Sequence, residues 1–213
     1  MTIDYSVIKR ASESLILAKG GEVCDWLPYH EISTMQTLQA VQGRALVLNA
    51  MINISFGAPI EFIKQWMADN NVYASTTARE RALMDLSRDG LQESAKLSLR
   101  WSLESLWAIM WSMHLVQTLD FTSFVPNSMA QLCPNLQINE NGDKFLKRSQ
   151  LRDYDEVYRE RDLNYRAMWY ARHLELCGKP DAKFSLGVLM ERRKGLDWVI
   201  DSSLDWDDMP QDT

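Results

Sequence analysis

Apolar residues recur at three- and four-residue steps along most of the chain, and no stretch alternates with period two over β-branched residues. That pattern predicts helices throughout and no sheet. A first helix spans about 5–19 and ends at Gly20-Gly21. From Thr34 to Ser55, residues Met35, Leu38, Val41, Ala45, Leu48 and Ile52 share one face, as in an amphipathic helix. Gly57 stops it, and Pro59 suits the first turn of a helix running to about Asn70. Thr77 and Glu80 have capping-box spacing, and their helix extends to Asp89 and Gly90. Next comes a long helix from Leu91 to about Thr118, apolar almost all round between Trp101 and Met113, which predicts a central position. Along it Ser98, Ser102, Ser105, Ala108 and Ser112 form a stripe of small residues that suits the close approach of another helix.

Residues 119–148 hold Pro126, Pro134 and Asn141-Gly142 and no clear period, so they read as a long loop with one short helix near 127–132. Ser149 to Cys177 is a second long helix, stopped by Gly178 and Pro180. Its exposed face carries four-residue pairs such as Asp155–Arg159 and Asp162–Arg166. Ser185 caps a last helix to about Asp201. The expected fold class is all-α: a single compact multi-helix domain over 1–213 with a long central Trp-rich helix. Residues 1–40 form an N-terminal helical extension and 202–213 an acidic C-terminal tail.

Composition narrows the class. At 213 residues, 46% hydrophobic and 24% charged, the chain has the makeup of a folded globular protein. No run of about 18 apolar residues suggests a membrane span, and the N-terminus lacks a basic and then apolar leader. Cys24, Cys133 and Cys177 are odd in number and widely spaced, which argues against a disulfide framework and suits a cytoplasmic location. The net charge of −6 is uneven: residues 201–213 carry five Asp and no Lys or Arg, while 146–194 carry twelve Lys and Arg against eight Asp and Glu. The acidic tail either folds back on those basic helices or offers Asp201, Asp205, Asp207 and Asp208 to a basic partner.

Phosphate loops, dinucleotide fingerprints, nucleophile elbows and H-E-x-x-H are absent. His30, His114 and His173 have no metal-ligand spacing, the Asp205–Asp208 run lacks the pattern of a calcium loop, and no metal or cofactor is expected. His114 reads as a core histidine and His173 as a cation at a helix end. The residues that stand out are charges set among large aromatics: Glu104, Asp162, Arg166, Arg172, Glu191, Arg192 and Arg193. Glu104 lies three residues from both Trp101 and Trp107 and needs a guanidinium or several donors if buried. Such a set is either an ion-pair network clamping three helices or a carboxylate–arginine pocket for an anionic substrate.

Three segments in order carry a resemblance. They are W-x-x-E-x-x-W-x-x-x-W at Trp101–Trp111, D-L-x-Y-R-x-x-W at Asp162–Trp169, and G-V-x-x-E-R-R followed by W and W-D-D over Gly187–Thr213. From about Arg44 onward the chain resembles the uncharacterised bacterial family of domains of unknown function DUF4272. Where that family usually has Ala-Leu-Asn-Trp, this chain has Gly195-Leu196-Asp197-Trp198. The resemblance implies a helical bacterial cytosolic domain and no established chemistry. The residues themselves point first to a non-catalytic protein-binding module, an immunity-type protein whose acidic surface neutralises a basic toxin. The alternative is a hydrolase or transferase using Glu104 or Glu191 beside the arginines. Basic stretches interleaved with acids argue against direct nucleic-acid binding.

Overall fold

The computed structural model describes residues 4–86 and 91–209. Eight α-helices are found among them: α1 (Tyr5–Ala18), α2 (Leu38–Ser55), α3 (Ile60–Asp69), α4 (Ala78–Met84), α5 (Glu93–Ser112), α6 (Asp143–Arg148), α7 (Tyr154–Leu176) and α8 (Leu186–Ile200). Short 3-10 turns intervene, and no strand occurs among the described residues. No helix there is long and apolar enough to cross a membrane.

Two helices share the centre. On α2, the residues from Gly43 to Ile52 are all buried, Arg44 and Asn49 included, so this helix is enclosed rather than amphipathic. It begins at Leu38, capped by the Thr37 hydroxyl, four residues later than its apolar pattern suggests. The second is α5, whose half from Glu104 to Ser112 is entirely buried while its first half is partly exposed. Against α5 lies α8. A Cβ added to Gly195 would stand 2.9 Å from the Ser105 carbonyl oxygen, and one added to Gly187 would stand 2.8 Å from the Trp101 ring. The small residues of α5 thus serve an internal contact between two helix backbones. In turn α7 packs on α8 and α1, and α2 on α5.

Helix α5 stops at Ser112, short of the expected Thr118, although neither Gly nor Pro stands there. His114 turns the chain with φ 57°, a left-handed conformation uncommon for a side-chain-bearing residue, and is exposed rather than in the core. The terminal carbonyls of α5 find donors in the segment before α7. Arg152 Nε donates to the Trp111 carbonyl at 2.7 Å, Arg152 N to Ser112 and Gln150 N to Met113. A cation at that end also suits the helix dipole, and its guanidinium lies 4.5 Å from the Trp111 ring centroid.

The segment expected to be one long loop is more structured. It holds 3-10 turns at Asn127–Leu132 and Leu136–Ile138 and the α-helix α6. The second long helix begins at Tyr154, five residues after Ser149, because Asp153 and Glu156 form a capping box there. Thr77 and Glu80 form another at α4, as their spacing predicts. That helix ends at Met84 with Asp85 as its C-cap, short of the expected end at Asp89 and Gly90, two residues that lie outside the described ones.

Residues 19–37 are not helical. They form an irregular segment with turns at 19–20 and 25–26, and 33–36 run beside 199–202: Gln36 N donates to the Val199 carbonyl, Ser202 N to Thr34 and Ser33 Oγ to Ile200. Residues 4–37 are therefore one helix and a fastened strap rather than a helical extension.

Candidate functional site

The charged residues singled out by their aromatic surroundings fall into separate clusters. Glu104 on α5 is 3% exposed and faces Arg192 on α8, which is 0% exposed. Its Oε2 accepts from Arg192 Nε at 2.9 Å and Nη2 at 2.8 Å, and its Oε1 accepts from Val125 N at 2.9 Å. Arg192 Nη1 and Nη2 also reach the carbonyls of Asp120 and Ser123, at 2.6 and 2.7 Å. This pair therefore fixes α5 to α8 and draws residues 120–125 over both. Every guanidinium nitrogen and both carboxylate oxygens have partners, the condition under which a buried ion pair is tolerated.

A second cluster joins α7 to α1. Asp162 Oδ2 accepts from the Ser12 hydroxyl at 2.7 Å, and both Asp162 oxygens accept from Arg166 Nε. Arg166 Nη2 donates onward to the Pro28 carbonyl. This four-residue pair was expected on an exposed face; it is buried, at the seam with α1. The third cluster centres on Asp197 of α8. Its Oδ1 accepts from Arg161 Nε on α7, and its Oδ2 accepts from Arg193 Nε at 3.0 Å. Arg193 also lies over the Tyr165 ring, 4.9 Å from its centroid. Two guanidiniums thus share one carboxylate in the interior. Burial holds the Arg161 pKa below its usual value, Asp197 opposes that shift and Arg193 adds to it.

Glu191 and Arg172 are half-buried and stand apart from the Glu104 pair. Glu191 Oε2 accepts from the Ser105 hydroxyl at 2.5 Å. Arg172 lies near the C-terminal end of α7, where His173 stacks on Trp169, the ring planes 6° apart. The expected three-helix network is therefore several clamps, α5 to α8, α7 to α8 and α7 to α1, the last two linked by the charge of Asp162 on Arg161.

The acids near the C-terminus stay at the surface, Asp205 and Asp208 exposed and Asp201 and Asp207 half-buried, yet each has a partner within the fold. Asp207 Oδ2 accepts from Arg79 N at 3.0 Å in the first turn of α4, and Asp208 pairs with Arg79. Asp201 and Asp205 each accept from the backbone two residues on. The segment folds back on α4 through Arg79 and, through Trp206, on α8 at Lys194, within the basic stretch 146–194. Trp206 seals it, with Arg44 and Lys194 5.0 and 4.6 Å from its ring centroid and Trp198 edge-on to it. Beneath lies a further buried pair, Arg44–Glu80, in which Glu80 also closes the α4 capping box. Residues 210–213 lie outside the description.

The model of the family described as a domain of unknown function, DUF4272, matches residues 9–209. The chain belongs to that family. No curated protein and no solved structure matches it. The match begins at residue 9, not near Arg44, so α1 and the strap are part of the DUF4272 unit, in keeping with the Ser12–Asp162 contact.

Several residues of this DUF4272 chain carry interior charge without a local sequence signal. Asp197, marked only as a departure from the usual Asn, is the shared carboxylate of the third cluster. Arg44, Glu80, Arg152 and Arg161 pair across 36, 41 or 36 positions of sequence. Glu160 is half-buried on α7, and desolvation pushes its carboxyl up to about 7 against the Asn164 amide, Arg192 and Arg152, which favour ionisation. Burial likewise pushes the Cys133 thiol up to about 12, so it behaves as a small apolar group; Cys24 is buried too, while Cys177 is exposed. Among the described residues no three His, Cys, Asp or Glu side chains converge as metal ligands.

Proposed function

We propose that this DUF4272 protein is a non-catalytic protein-binding module whose partner is a basic protein. The observation that carries this reading is the outer face of the strap. Trp26, Tyr29 and Ile32 are 72%, 49% and 66% exposed at three-residue steps. Between them Cys24 and Leu27 are buried against Tyr165, so the segment is anchored from below. Tyr158 Oη bridges the His30 backbone N–H and carbonyl, Tyr154 Oη accepts from Ser33 N, and Arg166 holds Pro28. Large apolar side chains held outward on a fixed backbone are the usual anchors of protein interfaces, since little entropy is lost when they dock.

Charge selects the partner. Exposed Glu22, Asp25 and Glu31 lie along the same segment, and Asp201 adjoins Glu31 across the line where the strap meets the end of α8. An aromatic centre with an acidic rim suits a basic surface. A narrower form is an immunity-type role, with the acidic rim covering the cationic groove of a toxin in the cytoplasm. The alternative, a hydrolase or transferase built on Glu104 or Glu191, is weaker: both Glu104 oxygens and all three Arg192 nitrogens are already taken by internal partners.

Affinity purification of the tagged chain at low salt, with co-purifying proteins identified, followed by titration of the purified partner, tests the proposal. The expected partner is basic, and Trp26→Ala and Ile32→Asp each weaken it at least about tenfold without loss of helicity. Recovery of no basic partner, or binding indifferent to both substitutions, overturns it.

A further inference from the structure

The chain contains one Asn-Gly dipeptide, Asn141-Gly142. In such a pair the main-chain nitrogen of the glycine can attack the asparagine side chain, because no Cβ hinders its approach. The Gly142 nitrogen gives its proton to a base and bonds to Asn141 Cγ. The side-chain nitrogen takes up a proton and leaves as ammonia. Water then adds to one of the two carbonyls of the five-membered imide and opens the ring. One water has entered and one ammonia has left, with aspartate or isoaspartate at position 141 and no change of oxidation state. Asparagine is heat-labile for this reason.

Water reaches the reacting amide. Asn141 is exposed and borders a cavity of about 540 Å³, which Asn70 and Asp143 also line. The nucleophile is placed differently. Gly142 is buried at the start of α6, and its N–H donates to Asn70 Oδ1 at 2.8 Å. A base must break that bond before it can take the proton, and the nitrogen must leave Asn70 before it can reach Cγ.

The acceptor is itself fixed. Asn70 follows the last turn of α3, and its Nδ2 donates to the Trp66 carbonyl at 2.9 Å. A carbonyl only accepts, so the amide nitrogen faces Trp66 and the amide oxygen faces Gly142. Trp66 Nε1 in turn donates to the Glu140 carbonyl at 2.9 Å. The residues on both sides of Asn141 are thus fastened to the end of α3. The Asn141 side chain is held as well: its Oδ1 accepts from Asp143 N and its Nδ2 donates to Asp143 Oδ2, both at 3.2 Å.

We propose that Asn141 is a modification site of this chain, converted by water to aspartate or isoaspartate, and that Asn70 is the positioning residue that restrains the reaction in the folded state. Conversion proceeds when the start of α6 lets go of α3. Isoaspartate lengthens the main chain by one methylene between the Glu140 carbonyl and the Gly142 N–H, so both fastenings to α3 no longer fit together. The inference is independent of any protein partner.

Incubation of the intact chain in mildly alkaline buffer, with peptide mass mapping over time, tests this. The folded parent is expected to convert at position 141 at least about tenfold more slowly than the same chain unfolded in urea. That comparison needs no variant. Asn70→Ala, checked for native helicity, removes the acceptor and is expected to speed conversion at 141 about three- to tenfold, the worth of one hydrogen bond. Thr77→Ala removes the α4 cap, leaves Asn70 in place and is expected to convert at the parent rate. Equal rates in the folded and unfolded parent overturn the proposal, as does conversion that begins elsewhere, for instance at Asn127-Ser128. An Asn70→Ala rate no faster than the parent, or a Thr77→Ala rate raised as much, also overturns it, because general loosening would then account for the result.

Discussion

A carboxylate drawn away from water depends on its partners, and the buried Glu104 and half-buried Glu160 illustrate the two outcomes. Glu104 meets a guanidinium and a backbone N–H. Glu104→Gln leaves the Arg192 charge buried without its counter-ion, at an expected cost of about 3–5 kcal/mol in denaturant unfolding. Replacing both members with apolar residues, as in Glu104→Leu with Arg192→Met, costs less than the single change, because no lone charge remains. A double-mutant cycle measures the difference. Glu160 accepts from the Asn164 amide, with Arg192 and Arg152 acting on it through charge alone. Its folded pKa of about 7 lies above the ordinary 4.5. The folded state therefore holds this proton more tightly than the unfolded state, and stability falls as pH rises from about 4.5 through 7. Glu160→Gln removes that penalty. The variant is expected to match the parent near pH 4.5 and to exceed it by about 1–3 kcal/mol at pH 8, read from unfolding midpoints at the two values. An unchanged difference across that range refutes the assignment.

At the scale of elements, the contact between α5 and α8 is set by glycine. Gly195→Ala puts a methyl group 2.9 Å from the Ser105 carbonyl, a backbone atom that cannot rotate away. The helices must separate, and the expected loss is about 1–3 kcal/mol, measured by thermal unfolding. The helices themselves were legible in the sequence because their signal is periodic, and the α4 cap because Thr77 and Glu80 stand at the required spacing. Their ends were harder to place. The same spacing occurs at Asp153 and Glu156, where it marks the true start of α7, but the apolar pattern running from Ser149 obscured it. No local signal marks the end of α5, since the donors that satisfy its last carbonyls come from Gln150 and Arg152. Ion pairs follow the same rule. That Glu104 needs a partner could be read from its neighbours, whereas Arg44–Glu80 and Arg161–Asp197 join helices far apart in sequence and leave no repeat.

Across the whole molecule, the two ends of the described chain hold the middle together. Trp206, pressed between Arg44 and Lys194, covers the Arg44–Glu80 pair. Trp206→Ala removes a large buried side chain and lets water reach that pair. Unfolding is expected at about 3–5 kcal/mol less free energy, with faster amide exchange in α2 and α4 than in α7. Equal exchange in all three helices would count against a local role for the C-terminal segment. On the opposite side, main-chain bonds tie 33–36 to 199–202. Residues 33–36 must therefore wait until 199–202 have left the ribosome before their hydrogen bonds can close. At about 5–20 residues per second, the delay is roughly ten to thirty seconds. During that interval Trp26, Tyr29 and Ile32 are carried on a loose segment rather than a fixed one, so the proposed docking face is set only once 199–202 have been made.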